Sequence, residues 1–214
     1  MREGILRLGN AQLGEVGAAA LSVREIARGL GVSSSAIYRH VASRDELLTL
    51  LLVDTYTDLA DAALRDATSE RPSMRLGELA RGMRLWAVQN PARWALAYGS
   101  PVPGYAAPAE QTTGPGTRVM AAFLSVLAQG RLSDLRATPE PVSERLSAEL
   151  AAGAAELGLT VEPALAAAAL EAWSGLIGLI SAEVFGQLGP DLAELGAELL
   201  ERWLAGNCAR FDLE

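Results

Sequence analysis

The sequence predicts an all-α fold, and two observations carry that prediction. Alternation of β-branched and polar residues never persists for six residues, so no segment has the period of a half-buried strand. Apolar residues instead recur at i, i+3, i+4 and i+7, as in Val23, Ile26, Ala27 and Leu30, which is the spacing of one helix face. The chain is half apolar and 21% charged, a balance typical of folded globular proteins.

The N-terminal helices are predicted from their capping residues. A first helix is expected over 3–17, and a second begins after Ser22 and ends at Gly31, since glycine readily adopts the conformation that terminates a helix. A third, very short helix follows Ser33. The residues expected on the buried faces of these helices are Ile5, Leu6, Leu13, Val16, Val23, Ile26, Ala27, Leu30, Ala36 and Ile37.

A long fourth helix, predicted over 44–66, begins in the motif SRDE at 43–46. This motif is a capping box, in which the Ser43 hydroxyl accepts from the amide of Glu46 and the Glu46 side chain returns to the amide of Ser43. The residues expected on its buried face are Leu47, Leu48, Leu51, Leu52, Tyr56 and Leu59.

The remainder of the chain is also predicted to be helical, apart from one long loop. The segment at 99–116 contains four prolines and four glycines and is expected to be irregular. A helix-turn-helix domain is expected at 1–48, and a helical ligand-sensing and dimerisation domain at 49–214. The further helices are expected at 74–89, 91–98, 117–130, 140–157, 162–187 and 190–207.

Charge restricts the class of protein. The formal net charge is −8, but residues 1–50 carry six arginines against five acidic residues, which leaves +1 there and −9 on the remainder. Any contact with DNA is therefore expected from the N-terminal quarter. All 18 basic residues are arginine, so no lysine is available for amine chemistry. The single cysteine, Cys208, excludes an internal disulfide and suits a reducing cytoplasm.

Hydropathy argues against a membrane protein. The most apolar stretch, AWSGLIGLISA at 172–182, has 11 residues between Glu171 and Glu183 and is expected to be too short to cross a bilayer. The N-terminal segment has acidic and polar residues where a signal peptide requires an apolar core. A soluble, cytoplasmic protein is therefore expected.

The stretch GVSSSAIYRHVASRDELL at 31–48 predicts an element that reads DNA. Two short helices joined by a tight turn form a helix-turn-helix, whose second helix enters the major groove with its N-terminal residues against base edges. Small hydroxyls allow close approach to DNA, and tyrosine, histidine and arginine reach phosphate oxygens. The predicted DNA-contacting residues are Ser22, Ser33, Ser34, Ser35, Tyr38, Arg39, His40 and Arg44.

Each of these residues also has a purely structural interpretation. Ser33 is explained by capping, and the same role competes with DNA contact for Ser34 and Ser35. Tyr38 has the alternative of a packed aromatic, and His40 that of a solvated residue ending a helix. His40 is a poor catalytic candidate, because no second histidine, cysteine or paired carboxylate lies nearby in sequence. No cluster has metal-ligand spacing, and neither a metal nor a cofactor is expected.

The segment EVGAAALSVREIARGLGVSSSAIYRHVASRDELLTLLL at 15–52 resembles the N-terminal domain of TetR-type (tetracycline-repressor-like) regulators. The likeness lies in the Glu-x-Gly, the serine that caps the second helix, the following Ile-Ala, GVS, Tyr-x-His and the acidic capping box with leucines behind it. Val41 stands where the family usually has phenylalanine, and Arg44 where lysine is usual. The resemblance implies a dimeric transcription regulator that meets DNA through Ser22, Ser34, Ser35, Tyr38, His40 and Arg44.

Two C-terminal stretches, NPARWALAYGSPVPGY at 90–105 and WSGLIGLISAEVFGQL at 173–188, resemble the sensor domains of one TetR subgroup. Such sensors hold a ligand inside a helical bundle, and their last two helices form a four-helix dimer interface. Ordinary core packing is the alternative for each residue, and the scarcity of nearby charge favours an apolar or neutral ligand. The candidate pocket residues are Trp86, Trp94, Tyr98, Tyr105 and Trp173, and the candidate dimer residues are Gly175, Gly178, Ala182, Leu195, Leu199 and Trp203.

The resulting hypothesis is a ligand-responsive DNA-binding transcriptional regulator, in this family most often a repressor. It is expected to bind a near-palindromic operator as a homodimer. Two alternatives stay open: a helical ligand- or partner-binding protein without control of DNA, and a small helical enzyme. One histidine, one cysteine and no lysine leave an enzyme few reactive groups, so no enzymatic activity is expected.

Overall fold

The computed structural model of the protein describes residues 1–133 and 142–214. These residues form eleven α-helices and one turn of 3-10 helix, with no strand among them, which confirms the predicted all-α class. The chain divides into two compact units. Unit 1 consists of Met1–Leu59 with Ala87–Gly116, and unit 2 of Ala60–Trp86 with Thr117–Glu214. The predicted domain division into 1–48 and 49–214 stays a prediction.

Unit 1 holds the N-terminal helices and the segment that returns to them at residue 87. Helix α4 begins in unit 1 and ends in unit 2, α5 ends in unit 1, and α7 begins there. The elements are α1 (Arg2–Val16), a 3-10 turn (Ala18–Ala20), α2 (Val23–Gly29), α3 (Ser34–Ile37), α4 (Arg44–Arg65), α5 (Pro72–Gln89), α6 (Pro91–Tyr98) and α7 (Ala109–Leu127).

The core of unit 1 confirms most of the predicted buried faces. Side chains of α1, α2, α3 and α4 meet in one cluster in which Ile37 and Leu47 are fully buried. Full burial of a side chain of this size contributes roughly 1.5–3 kcal/mol. Val16 is an exception: it was expected inside but is 51% exposed, because it is the last residue of α1 and the chain turns at Gly17 directly after it. Ala36 is half-buried.

The long loop predicted at 99–116 is wrong in its second half, because α7 already begins at Ala109 and includes Pro115. Proline removes one intrahelical donor, but nearby interactions hold this end of the helix. The hydroxyl of Thr112 donates to the carbonyl of Pro108 at 2.8 Å. Gly116 lets α7 pass close to an aromatic ring, since a Cβ there would lie 3.1 Å from Cε2 of Tyr56.

Unit 2 completes the chain with four further helices. These are α8 (Glu144–Glu156), α9 (Pro163–Val184), α10 (Gly189–Ala193) and α11 (Gly196–Arg210), and α9 packs against both α8 and α11. The helix predicted over 140–157 begins at Glu144 among the described residues, and positions 140 and 141 lie outside them. The single helix predicted over 190–207 is wrong, because a turn at 194–195 separates α10 from α11.

A buried ion pair explains the start of α11. Arg84 donates to both carboxylate oxygens of Glu183, at 2.8 and 2.5 Å, and the Glu183 side chain is only 9% exposed. A Cβ on Gly196 would collide with the Glu183 carboxylate, so only glycine lets α11 begin beside this pair.

Helix α9 is longer than the apolar stretch expected from sequence. Its 22 residues include an 18-residue window with a mean hydropathy of 1.6, and by length and composition alone this is enough to cross a membrane. Core helices of soluble proteins also reach this value. Two carboxylates of α9 are held by arginines of the same unit: Glu171 by Arg210 at 2.6 Å, and Glu183 by Arg84.

Candidate nucleic-acid interface

Helix α2 is anchored at its first residue by Ser22. The backbone of Ser22 is extended, and its hydroxyl accepts from the amide of Glu25 at 3.4 Å, as expected of an N-cap. Its own amide donates to Oε1 of Gln12 at 2.7 Å. The side chain of Gln12 therefore fixes the start of α2 against α1.

The turn between α2 and α3 is a Schellman motif centred on Gly31. Gly31 adopts φ +67°, its amide donates to the carbonyl of Arg28 at 3.1 Å, and the amide of Val32 donates to the carbonyl of Ala27 at 3.1 Å. These two bonds satisfy carbonyls that the end of α2 would leave open. They also set the direction in which the chain enters α3.

Helix α3 begins as the sequence predicts, with Ser33 as its cap. The Ser33 hydroxyl accepts from the amide of Ala36 at 3.2 Å and lies 3.0 Å from the hydroxyl of Ser35. Ser34 is exposed. Ser33 thus has a structural role, whereas Ser34 and Ser35 present their hydroxyls at an open helix start.

The outer face of α3 is separated cleanly from its core face. Ile37 is fully buried, while the next residue, Tyr38, is 40% exposed. Arg39 and His40 follow in the turn after α3, both exposed, and the amide of His40 donates to the carbonyl of Ile37 at 2.8 Å. A phenol, a guanidinium and an imidazole therefore face solvent beside the serine hydroxyls, which is a set of side chains able to contact phosphates and base edges.

The capping box of α4 forms, with one difference from the expectation. The amide of Glu46 donates to the Ser43 hydroxyl at 3.1 Å, as predicted. The returning Glu46 carboxylate accepts from the amide of Ala42 at 2.6 Å rather than from that of Ser43. The carboxylate therefore holds the residue before the cap, and it closes the turn that joins His40 to α4.

Arg44 has a contact that the sequence did not indicate. Its Nη2 donates to the carbonyls of both Ala18 and Ala19, each at 3.0 Å, while its buried Nε has no hydrogen-bond partner. The side chain is 33% exposed. The guanidinium thus ties the first turn of α4 to the 3-10 turn that precedes Ser22. Its predicted contact with DNA stays a prediction.

Three of the five candidate pocket residues lie in unit 1, within packed surroundings. Trp94 is fully buried, and its ring centroid lies 4.4 Å from that of Tyr98. Burial raises the pKa of the Tyr98 hydroxyl well above its usual value, and the neighbouring Tyr56 raises it further. The hydroxyl of Tyr105 lies 3.0 Å from that of the buried Thr49 on α4.

An ion-pair cluster in unit 1 connects α6 to α4. Arg93 of α6 donates to the carboxylates of Asp54 at 2.9 Å and Asp58 at 2.6 Å, and to the carbonyl of Asp54 at 3.2 Å. The Arg93 side chain is 15% exposed. Charge-assisted bonds of this kind are roughly twice as strong as neutral ones.

The other two candidate pocket residues lie in unit 2, where the structure also contains a cavity. Trp86 and Trp173 are buried, and the ring of Trp173 lies 5.4 Å from that of Phe123. The cavity has a volume of about 320 Å³ and lies between α7, α8 and α9, and none of the five predicted residues lines it. The sequence did not indicate this cavity, because its walls are mainly aliphatic whereas the predicted pocket residues are all aromatic.

The candidate dimer residues lie on α9, on α11 and in the turn before α11, and they differ in exposure. Gly175, Gly178 and Leu195 are exposed, whereas Leu199 and Ala182 are half-buried. Trp203 packs inside its own unit, since a Cβ on Gly175 would lie 3.2 Å from its Nε1. Their predicted role in a dimer stays a prediction. Across residues 1–133 and 142–214, no group of three or more His, Cys, Asp or Glu side chains is placed to hold a metal.

A capped helix-turn-helix has exposed hydroxyl groups on its second helix and an exposed phenol and guanidinium in the turn after it. Followed by a larger helical domain, it defines a DNA-binding transcriptional regulator. Two family models match the chain in this order: "Bacterial regulatory proteins, tetR family" over residues 5–51, and "Tetracyclin repressor-like, C-terminal domain" over residues 76–206. The chain belongs to the TetR family of bacterial regulators.

Relatives of known sequence and structure agree with this assignment. The chain is 48% identical over 192 residues to the HTH-type transcriptional regulators Mb1846 of Mycobacterium bovis and Rv1816 of Mycobacterium tuberculosis, which covers 88% of this chain and 82% of each relative. The crystal structure of the regulatory protein SCO4313 matches with a TM-score of 0.75 and 32% identity, over 96% of this chain and 94% of that one. A tetR family transcription regulator from Shewanella sp. PV-4 shares the fold, with a TM-score of 0.63 and 15% identity, over 99% of this chain and 97% of that one.

Proposed function

We propose that this regulator is a ligand-responsive repressor that binds a near-palindromic operator as a homodimer. The observation that carries the DNA-binding part is the open face of α3 and its following turn, where Ser34, Ser35, Tyr38, Arg39 and His40 are all exposed. In a two-fold dimer, two such helices enter successive major grooves about 34–36 Å apart, so the operator has two inverted half-sites. An effector that prefers a dimer with a different spacing of these helices would release the DNA.

The surface of α9 supports the homodimer. Its most apolar 18-residue window is only 28% buried within the chain. Phe185, directly after this helix, is 39% exposed, and Leu195, directly before α11, is 48% exposed. Exposed apolar surface on a long helix is a feature of surfaces that a partner covers in solution. A second copy covers it symmetrically, which makes the protein a soluble cytoplasmic dimer.

A DNA-binding experiment tests the role proposed for the helix-turn-helix. Purified protein is titrated against DNA flanking its own gene in gel-shift and footprinting assays at low salt. The parent protein should protect two inverted half-sites, and the double variant Tyr38→Ala, His40→Ala should lose affinity. Gln111→Ala is the matched control, because it removes an exposed polar side chain from α7 in the same unit. Absence of binding by a folded dimeric parent would refute the proposal.

A separate experiment tests the dimer. Gly178 is exposed on α9 with no heavy atom within 4 Å of an added Cβ, so Gly178→Arg can be accommodated by the single chain. It should place two charges within a two-fold interface and convert the dimer to a monomer in sedimentation velocity. Gly14→Arg, at an equally open position on α1, is the control and should leave the dimer intact. A dimer that survives Gly178→Arg would place the interface elsewhere.

The family assignment also bears on the enzyme alternative. Members of the TetR family are transcriptional regulators, and we infer that this chain acts by binding DNA and an effector rather than by catalysing a reaction. The exposed side of α3 is organised by caps and a Schellman turn, which orient it for contact with a surface. His40, the single histidine of the chain, serves that contact in this proposal.

A further inference from the structure

We propose that the cavity between α7, α8 and α9 binds a molecule with a flexible aliphatic chain and a cationic head group, and that Glu149 pairs with that head group. The inference rests on the proposed ligand response and names the chemical class of the ligand and its site. It differs from the aromatic pocket expected from sequence, since the cavity lies between the C-terminal half of α7 and two later helices of unit 2.

The walls of the cavity are aliphatic apart from one glutamate. Helix α8 contributes Leu146, Leu150, Gly153 and Ala154, whose i, i+4, i+7, i+8 spacing places them along one helix face. The facing helices contribute leucine, alanine and one methionine, and none of the lining side chains is aromatic. A volume of about 320 Å³ lies within the range of small-molecule sites. Such walls offer dispersion contacts to a bendable alkyl chain but no stacking surface to a flat ring system.

Local structure fixes both ends of α8, which forms one wall of the cavity. At its start, the Ser143 hydroxyl accepts from the amide of Leu146 at 3.3 Å. At its end, Gly158 adopts φ +73° and the amide of Leu159 donates to the carbonyl of Ala154 at 2.8 Å, which reverses the chain toward α9. This wall of the cavity is therefore set by bonds within the chain, which suits a small-molecule site, since such sites are usually pre-formed.

Charge at the cavity selects the head group. Glu149 is the one charged side chain among the described lining residues, and it is exposed. Since neither arginine nor histidine lines the cavity there, a carboxylate or phosphate head group would meet a negative charge without a compensating cation. An ammonium group at the exposed end of an alkyl chain would instead pair with Glu149 while the chain fills the apolar interior.

The experiment compares three ligands with the same ten-carbon chain, each kept below its micelle concentration. Decyltrimethylammonium, decanol and decanoate are titrated into the full-length protein by isothermal calorimetry. The ammonium compound should bind most tightly and decanoate most weakly. In Glu149→Gln, the ammonium compound should lose about threefold to fivefold in affinity, the size of an exposed ion pair, while decanol binding should not change.

A second variant tests the location. A Cβ on Gly153 meets no heavy atom within 4 Å, so Gly153→Leu should fill the cavity without displacing its walls, and it removes a glycine from a helix. It should weaken all three ligands about tenfold or more, as expected when a hydrophobic pocket loses space for several methylenes. Gly14→Leu, at an equally open position on α1, should weaken none of them.

The outcomes separate this inference from the proposed function. Tightest binding by decanoate, or unchanged binding in Gly153→Leu, would overturn the assignment of head group or of site. Release of operator DNA by the ammonium compound is measured independently by fluorescence anisotropy. One outcome is that the compound binds the parent protein but not Gly153→Leu and still leaves the affinity for DNA unchanged. In that case the ligand site is supported, and the ligand-responsive part of the proposed function is refuted.

Discussion

Replacing Gly31 with alanine should destabilise the protein by about 1–2 kcal/mol, the cost of a left-handed backbone for a residue with a Cβ. Gly31 has φ +67°, and no heavy atom lies within 4 Å of the position that a Cβ would occupy. The new methyl group therefore meets only its own backbone. The turn cannot avoid this cost by changing its backbone conformation, because it would then lose the hydrogen bonds that the amides of Gly31 and Val32 donate.

The same substitution at Gly14 should have the opposite sign. Gly14 lies inside α1, also with no heavy atom within 4 Å of an added Cβ, and its φ is not positive. Alanine there should stabilise the helix by roughly 0.5–1 kcal/mol. Urea denaturation monitored by circular dichroism on purified variants measures both changes, and Gly31→Asn should cost less than Gly31→Ala, because asparagine tolerates the left-handed conformation.

A neutral or stabilising Gly31→Ala would refute this account of the turn. It would mean that the chain passes from α2 to α3 without a left-handed residue, and that the Schellman bonds do not set the direction of α3. Equal effects at Gly31 and Gly14 would lead to the same conclusion, because the two positions differ in backbone conformation and not in the space around an added Cβ.

Three further predictions concern single side chains. Ile37→Ala should cost about 2–5 kcal/mol in thermal denaturation, because Ile37 is the fully buried residue of α3; a cost below that range would mean that the site collapses to fill the space. Ser33→Ala should lower the stability by about 0.5–2 kcal/mol, because the hydroxyl that caps α3 is lost, whereas Ser33→Asp should keep the parent's stability in the same thermal denaturation assay. If Ser33→Ala were as stable as the parent protein, Ser33 would have no capping role. Arg84→Met should cost about 3–5 kcal/mol in urea denaturation, because it strands the 9% exposed carboxylate of Glu183, and adding Glu183→Gln should recover most of that loss; no recovery would contradict the ion-pair explanation.

The fold was predictable wherever its signal is local. Ser22, Gly31 and Ser33 define the ends of α2 and α3 through bonds to residues within five positions, so the sequence alone indicates them. The start of α7 was not predictable from local sequence, because Pro115 disfavours a helix interior and yet lies inside α7. The neighbouring Gly116 packs against Tyr56, which is more than fifty positions away in the sequence. The close approach of Gly196, at the start of α11, to the Glu183 carboxylate likewise has no signal within 190–207.

The candidate site divides in the same way. The exposure of the side chains on α3 and in the turn after it follows from helix periodicity around the buried Ile37, whereas their contact with DNA stays a prediction. The contact of Arg44 with Ala18 and Ala19 crosses 25 or more positions and has no sequence signal. The aliphatic face of α8 is visible in the sequence, but its pairing with α7 and α9 to leave a cavity is a tertiary fact.

The bonds of Arg93 join α6 directly to α4, the helix that follows the helix-turn-helix. The chain leaves unit 1 along α4 and comes back to it at residue 87, and α6 is then fastened to α4 at two successive turns through Asp54 and Asp58. Because one guanidinium holds both carboxylates, α6 and this stretch of α4 are expected to move together as one piece within unit 1.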